Sequence, residues 1–171
     1  MKNVDKMVRA YLGLGSNLGD RLAILKAARQ RLAAWPGIDL VGASPLYETD
    51  PLGGPEGQKR YLNAVLEVRS VVSAEELLAV GLELENQFGR KRELHHGPRT
   101  LDVDLLLYSD RVCHRNDLIL PHPRLHQRAF VLNPLCELAP NLIHPLLGKT
   151  VRQLLDNLSG SQGIRRLATP W

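Results

Sequence analysis

A chain of 171 residues, 44% hydrophobic and 23% charged, has the balance of a soluble globular protein and enough length to bury a sizeable core. That balance excludes a disordered or low-complexity chain, and no apolar run reaches transmembrane length. A formal net charge of +4 suits a polyanionic ligand (nucleotide, nucleic acid or acidic metabolite) without choosing among them.

Met1 to Lys6 is polar and charged and reads as a disordered extension, so the expected unit is one domain over residues 7–171. Val8 to Leu14 is an apolar strand, and Gly15-Ser16-Asn17 is a turn with Asn17 or Asp20 capping the next helix. Such a turn either presents backbone N–H groups to an anion or polar ring or simply links strand to helix; alone, the second reading is favoured. Leu22, Leu25, Ala28 and Leu32 share a helical face, and Pro36-Gly37 stops that helix. Ile38 to Tyr47 reads as a strand, followed by a Pro/Gly loop from Thr49 to Gln58.

Tyr61 to Val71 alternates with period two, which places Tyr61 and Asn63 on one face. A ring beside an amide can stack on a flat heterocycle and read its edge, or else cover the core and cap a loop. Ser73-x-x-Glu76 is a capping box, and Leu77, Leu84 and Phe88 mark the apolar side of a second helix that Gly89 ends. Next comes a basic run from Arg90 to Arg99, expected to provide part of a phosphate site.

The following strand, through Tyr108, carries Asp102 and Asp104 two residues apart. Period two points both to one face, with Leu101, Val103 and Leu105 on the other. They either share hard cations beside the phosphate-binding Arg99 or are surface acids paired with it. A short strand is expected around Val112, broken at Pro121-His122-Pro123. His122 and His126 are spaced i, i+4, but Pro123 intervenes and no third ligand is evident. His122 beside Arg128 therefore reads as a phosphate contact rather than half of a zinc site. Ala129 to Leu138 is helical, with Pro134 kinking it or starting its regular part, and Phe130 alone reads as core. Gly148-Lys149-Thr150 fails the P-loop pattern because residue 143 is Ile143, so Lys149-Thr150 starts the last helix, to Leu158. Cys113 and Cys136 have no CxxC partner and read as reduced thiols of a cytosolic protein. The order β-α-β-β-α-β-β-α-α predicts an α+β fold, a ferredoxin-like βαββαβ core with helices packed on an antiparallel sheet.

Gly15-Ser16-Asn17-Leu18, Tyr47-x-Thr49, Tyr61-Leu62-Asn63-Ala64, Gly97-Pro98-Arg99-Thr100-Leu101-Asp102-Val103-Asp104, Leu120-Pro121-His122-Pro123, Arg128-Ala129-Phe130 and Pro134-Leu135 occur in that order. With them the chain resembles the 6-hydroxymethyl-7,8-dihydropterin pyrophosphokinase family, from about Tyr11 to the last helix. The resemblance implies transfer of pyrophosphate from ATP to the hydroxymethyl oxygen of the reduced pterin, releasing AMP, in folate biosynthesis. It implies two Mg²⁺ ions held by Asp102 and Asp104, with Arg90 and Arg92 as catalytic cations. Arg99, His122 and Arg128 would face the triphosphate, and Glu85 and Leu105 would line the nucleotide side. Gly15, Thr49, Leu52, Tyr61, Asn63, His96 and Phe130 would bind the pterin, with Tyr61 and Phe130 on either side of the ring. The implied partners are ATP and a reduced pterin, with no nucleic acid or membrane, for a cytoplasmic monomer.

The chain departs from the family pattern in three places. His96 stands where many relatives carry a large aromatic, the basic loop between Gly89 and Gly97 is short, and Pro123 follows His122 where a tyrosine is common. The alternative is an RNA-binding ferredoxin-like module. The basic charge supports it, and the lack of an aromatic-rich central strand opposes it.

Overall fold

The computed structural model describes residues 7–89, 100–160 and 163–171. The expected extension 1–6 and the basic run with Arg90, Arg92, His96 and Arg99 lie outside the described residues.

Strand β1 (Val8–Ser16) runs two residues further than its sequence suggests. Gly15 and Ser16, expected in a turn, stay extended because β4 (Tyr61–Ser70) pairs with them, Gly15 opposite Asn63 and Ser16 opposite Leu62. The chain turns later, with Gly19 at φ 74°, and the Asp20 carboxylate accepts the Ala23 N–H at 3.0 Å to cap α1 (Arg21–Ala33).

The single strand expected over Ile38 to Tyr47 is two, β2 (Ile38–Ala43) and β3 (Tyr47–Thr49), lying end to end along β4. Pro45 has no N–H to give a ladder, and the Ser44 hydroxyl takes over by accepting the Val65 N–H at 2.9 Å. Helix α2 (Ala74–Gln87) starts at the expected box: Ser73 N–H donates to Glu76 at 2.7 Å and Glu76 N–H to Ser73 Oγ at 3.2 Å. β5 (Asp102–Tyr108) follows. In place of one strand around Val112 there is a hairpin, β6 (Cys113–Arg115) and β7 (Leu118–Leu120). Helix α3 (Ala129–Leu138) runs through Pro134, and α4 (Val151–Asp156) begins after a Thr150 cap reciprocated by Gln153. A last strand, β8 (Ile164–Arg166), was not expected from its sequence; three residues with two arginines carry no apolar period.

The sheet runs β5-β1-β4-β3-β8, with β2 beside β3 on the same edge of β4, and every pairing is antiparallel. The expected ferredoxin-like core is present, with β8 added outside β3. One face buries Leu12, Leu14, Leu66 and Val68 against Leu25 and Leu32 of α1 and Leu77 and Leu84 of α2. The other buries Tyr11, Val65, Leu106 and Leu107 against Leu132 and Leu135 of α3 and Leu154 of α4. Leu106 and Leu107 are sequence neighbours that pack in the same layer. A register shift between Tyr11 and Leu12 inserts an extra residue on β5 and breaks the alternation there.

His144, in the connection to α4, is buried, and its Nδ1 accepts the N–H groups of Leu146 at 3.3 Å and Leu147 at 3.2 Å. The imidazole is therefore held neutral. Burial, and then His126 with its ring 6.0 Å away, hold its pKa below the ordinary value. The unfolded chain takes up this proton near pH 6.5 while the folded one resists it. The His144 contribution to stability is thus present above about pH 6.5 and is lost as pH falls toward the folded pKa. The melting temperature should drop between about pH 7 and pH 5.5. His144→Asn, whose Oδ1 can accept both N–H groups, should flatten that slope. An unchanged slope in the variant would assign it elsewhere, to His122 first.

Candidate active site

Helices α3 and α4 cover only part of the second sheet face. The rest is the floor of a cleft of about 770 Å³. Gly13 and Gly15 of β1 form the middle of that floor. Asp104 lies opposite Gly13 and Asp102 opposite Gly15 on one side, and Asn63 lies opposite Gly15 on the other. A Cβ on Gly15 would sit 2.8 Å from Asn63 Oδ1, so only glycine leaves the amide its position.

Asp102 and Asp104 share the cleft face of β5, while Val103 and Leu105 are buried on the opposite face, as period two requires. β5 is an edge of the sheet, and two site residues satisfy its outer groups. The Glu85 carboxylate, buried on α2, accepts the Val103 N–H at 2.8 Å, and the His122 N–H donates to the Leu106 carbonyl at 2.9 Å. Glu85 thereby clamps the backbone between the two aspartates. Gly81 of the same helix lets it approach: a Cβ there would lie 3.1 Å from Val103 Cγ1. The Asp104 side chain is 45% exposed, with Arg128 Nη1 3.9 Å from its Oδ2.

At the other end of the cleft, Asn63 Nδ2 donates to Thr49 Oγ1 at 2.7 Å, and both residues are buried. This bond orients the amide on the floor. Tyr61 lies two residues away on the same strand face, and Phe130, at the start of α3, also lines the cleft. The Arg128 guanidinium sits 5.4 Å from the Phe130 ring centroid, which steadies ring and cation together. Leu52 is 68% exposed at the rim. His122 Nδ1 accepts the Arg124 N–H at 3.2 Å, which leaves the proton of the neutral ring on Nε2. Burial pushes its pKa down, Arg128 and Arg124 add to this, and Asp104 opposes it.

One cleft thus gathers Gly15, Thr49, Leu52, Tyr61, Asn63, Glu85, Asp102, Asp104, His122, Arg128 and Phe130. Leu105 stands apart: its side chain is in the core beneath β5 and borders a smaller hollow of about 260 Å³ beside Asn116–Pro123. Phe130, which reads as core when taken alone, is half-buried and serves both core and cleft. Arg124 and Gln127 line the cleft too and were not singled out. The signal for Arg124 was its place between His122 and Arg128, which makes the turn a basic run.

Two carboxylates on one strand face, with open space above a glycine floor and no thiolate beside them, are the donor set of a hard divalent cation. The described residues hold no cluster of three or more His, Cys, Asp or Glu that would take a softer ion.

A family model described as 7,8-dihydro-6-hydroxymethylpterin-pyrophosphokinase (HPPK) matches residues 11–140. The chain is 45% identical over 161 residues to the 2-amino-4-hydroxy-6-hydroxymethyldihydropteridine pyrophosphokinase of Methylorubrum extorquens, covering 94% of this chain and 99% of that one. It is 39% identical over 147 residues to the enzyme of the same name from Aquifex aeolicus, covering 86% and 90%. A double variant of Plasmodium falciparum HPPK-DHPS crystallised with pterin and p-hydroxybenzoate superposes with a TM-score of 0.72 over 94% of this chain at 16% identity. At that identity the likeness speaks for the fold, and this chain spans 47% of that protein's length. Matched over most of its length in sequence and nearly all of it in fold, this chain belongs to the 7,8-dihydro-6-hydroxymethylpterin-pyrophosphokinase family.

Proposed function

We propose that this cleft carries out the family's reaction with Asp102 and Asp104 at its phosphate end and Tyr61, Asn63 and Phe130 at its pterin end. Membership makes the chain an ATP-dependent diphosphotransferase of folate biosynthesis, acting on 6-hydroxymethyl-7,8-dihydropterin. What carries the residue assignment is that a carboxylate pair and the Tyr61, Asn63 and Phe130 group line one cleft over a glycine floor.

Asp102 and Asp104 would hold Mg²⁺, two ions in this reading. Bound there, Mg²⁺ neutralises the triphosphate and lowers the pKa of the attacking hydroxyl. The protein's own work is positioning, which dominates phosphoryl-type transfer. Glu85 keeps β5, and so both carboxylates, at a fixed height. Arg124, Arg128 and the Nε2–H of His122 offer donors to phosphate oxygens, and the approach of that polyanion favours the charged imidazole. Asn63, oriented by Thr49, hydrogen-bonds the pterin edge, while Tyr61 and Phe130 stack on its faces. The hydroxymethyl oxygen then bonds to the β-phosphorus and gives up its proton to solvent, as the bond from the β-phosphorus to the oxygen bridging it to the α-phosphate breaks and AMP leaves with that oxygen.

In this reading residues 7–171 act as one domain, and a monomer suffices because one chain supplies both ends of the cleft. No helix of the described residues is long and apolar enough to cross a membrane, and Cys113 and Cys136 are free thiols, which suits work in the cytoplasm. The RNA-binding alternative is disfavoured by the same floor, where the central β1 strand offers glycines rather than stacking rings.

The test is incubation with ATP, Mg²⁺ and 6-hydroxymethyl-7,8-dihydropterin. AMP and pterin diphosphate should form in equal amounts, and AMP should not form without the pterin. Release of AMP independent of pterin would replace this reading with that of a phosphohydrolase.

A further inference from the structure

The matched family segment ends at residue 140, yet the chain beyond it returns to the strand and loop that border the cleft. β8 pairs with β3, placing Ile164 opposite Thr49 and Arg166 opposite Tyr47. Just before it, the Gly163 carbonyl accepts two donors from the two ends of the loop that forms the cleft rim: the Asp50 N–H at 3.2 Å and Arg60 Nη2 at 2.9 Å. Arg60 Nε also donates to Asp50 Oδ1 at 2.8 Å, which closes the base of the loop into a ring. Thr49 precedes this base and Tyr61 follows it, and both belong to the pterin end of the cleft.

The same strand reaches two further parts. Arg165 donates to Glu48 at 2.7 Å, and Glu48 also accepts from Arg21 at 3.1 Å. Burial works against that carboxylate, but Arg165 and Arg21 outweigh it and hold its pKa below the usual range. Arg166 donates to Glu137 of α3 at 2.8 Å, and Glu137 also accepts from Tyr47 at 2.7 Å. α3 carries Phe130 at its first turn. One three-residue strand therefore ties the strand edge beside Tyr61 to the last turn of the helix whose first turn carries Phe130.

We infer that Gly163 and β8 are a positioning brace for the pterin slot, setting its affinity for the pterin and not for ATP. The inference rests on the pterin reading proposed above. Exposed ion pairs such as Arg165–Glu48 contribute little singly, so the sensitive point is Gly163. It has φ 78°, and a Cβ there would lie 2.1 Å from Asp50 Oδ2 and 2.9 Å from Asp50 Cγ. Alanine must therefore displace Asp50 and open the ring at the loop base.

The test measures pterin affinity by fluorescence titration, with a saturating non-hydrolysable ATP analogue, in Gly163→Ala, Arg60→Gln and Tyr61→Ala. The first two should weaken pterin binding about tenfold, a change of 1.4 kcal/mol, and raise its KM. Affinity for the ATP analogue and kcat at saturating pterin should stay within about twofold. Should Gly163→Ala fail to fold, Arg60→Gln alone decides. Pterin binding unchanged in both variants but lost in Tyr61→Ala overturns the brace and leaves the slot standing. Pterin binding unchanged in all three overturns slot and brace together. Equal losses for pterin and nucleotide show a general loosening of the fold and also overturn the brace.

Discussion

Asp102→Ala and Asp104→Ala should each lower kcat by about a hundredfold or more at saturating substrates, while the protein still folds. In the proposed reading each removes half of the pair that would hold the cation, at a step where charge neutralisation supplies most of the catalysis. For Asp104 the cost to the fold is small. Asp104 is half exposed, and its contact with Arg128 is 3.9 Å, a range at which ion pairs contribute about 0–1 kcal/mol. Removing one of two like charges on the same strand face also relieves repulsion. The metal-free melting temperature should therefore move by about 4 °C at most. Mg²⁺ titration of the wild type should raise that temperature, and the variants should lose the response. Near-normal turnover in either variant at high Mg²⁺ would show that the carboxylates are surface acids. A large drop in the metal-free melting temperature would give them a structural role instead.

Tyr61→Ala and Phe130→Ala should each weaken pterin binding by about 1–3 kcal/mol, as removal of a stacking ring does for nucleobases, and leave nucleotide affinity nearly unchanged. The two differ in their stability cost. Phe130 also packs against the α3 and α4 layer, so its truncation should lower the melting temperature as well, while Tyr61, outside both buried clusters, should do so less. Fluorescence titration beside thermal unfolding separates the effects. If both variants lost pterin and ATP binding equally, the rings would be packing residues rather than walls of a slot.

The local geometry of this site was readable from the chain because a strand has a fixed period. Asp102 with Asp104, and Tyr61 with Asn63, share faces for that reason alone, and capping chemistry placed the start of α2 at Ser73. The ordered motifs then named the chemistry. The errors fall where a partner strand decides. Gly15 and Ser16 are extended because β4 pairs with them, and the Ile38–Tyr47 segment splits because Pro45 cannot donate to β4.

Only the tertiary structure could show that the carboxylate pair and the ring-and-amide pair stand on opposite sides of β1, with Gly15 between Asp102 and Asn63. That depends on the register of β1 between β4 and β5, and register is a long-range property. The same holds for Glu85, which the resemblance placed on the nucleotide side and the fold sets under β5 as an acceptor for a backbone N–H 18 residues away. It holds most for β8, whose three residues have no strand period of their own. They become a strand because β3 offers an open edge, and they matter because that edge leads into the cleft.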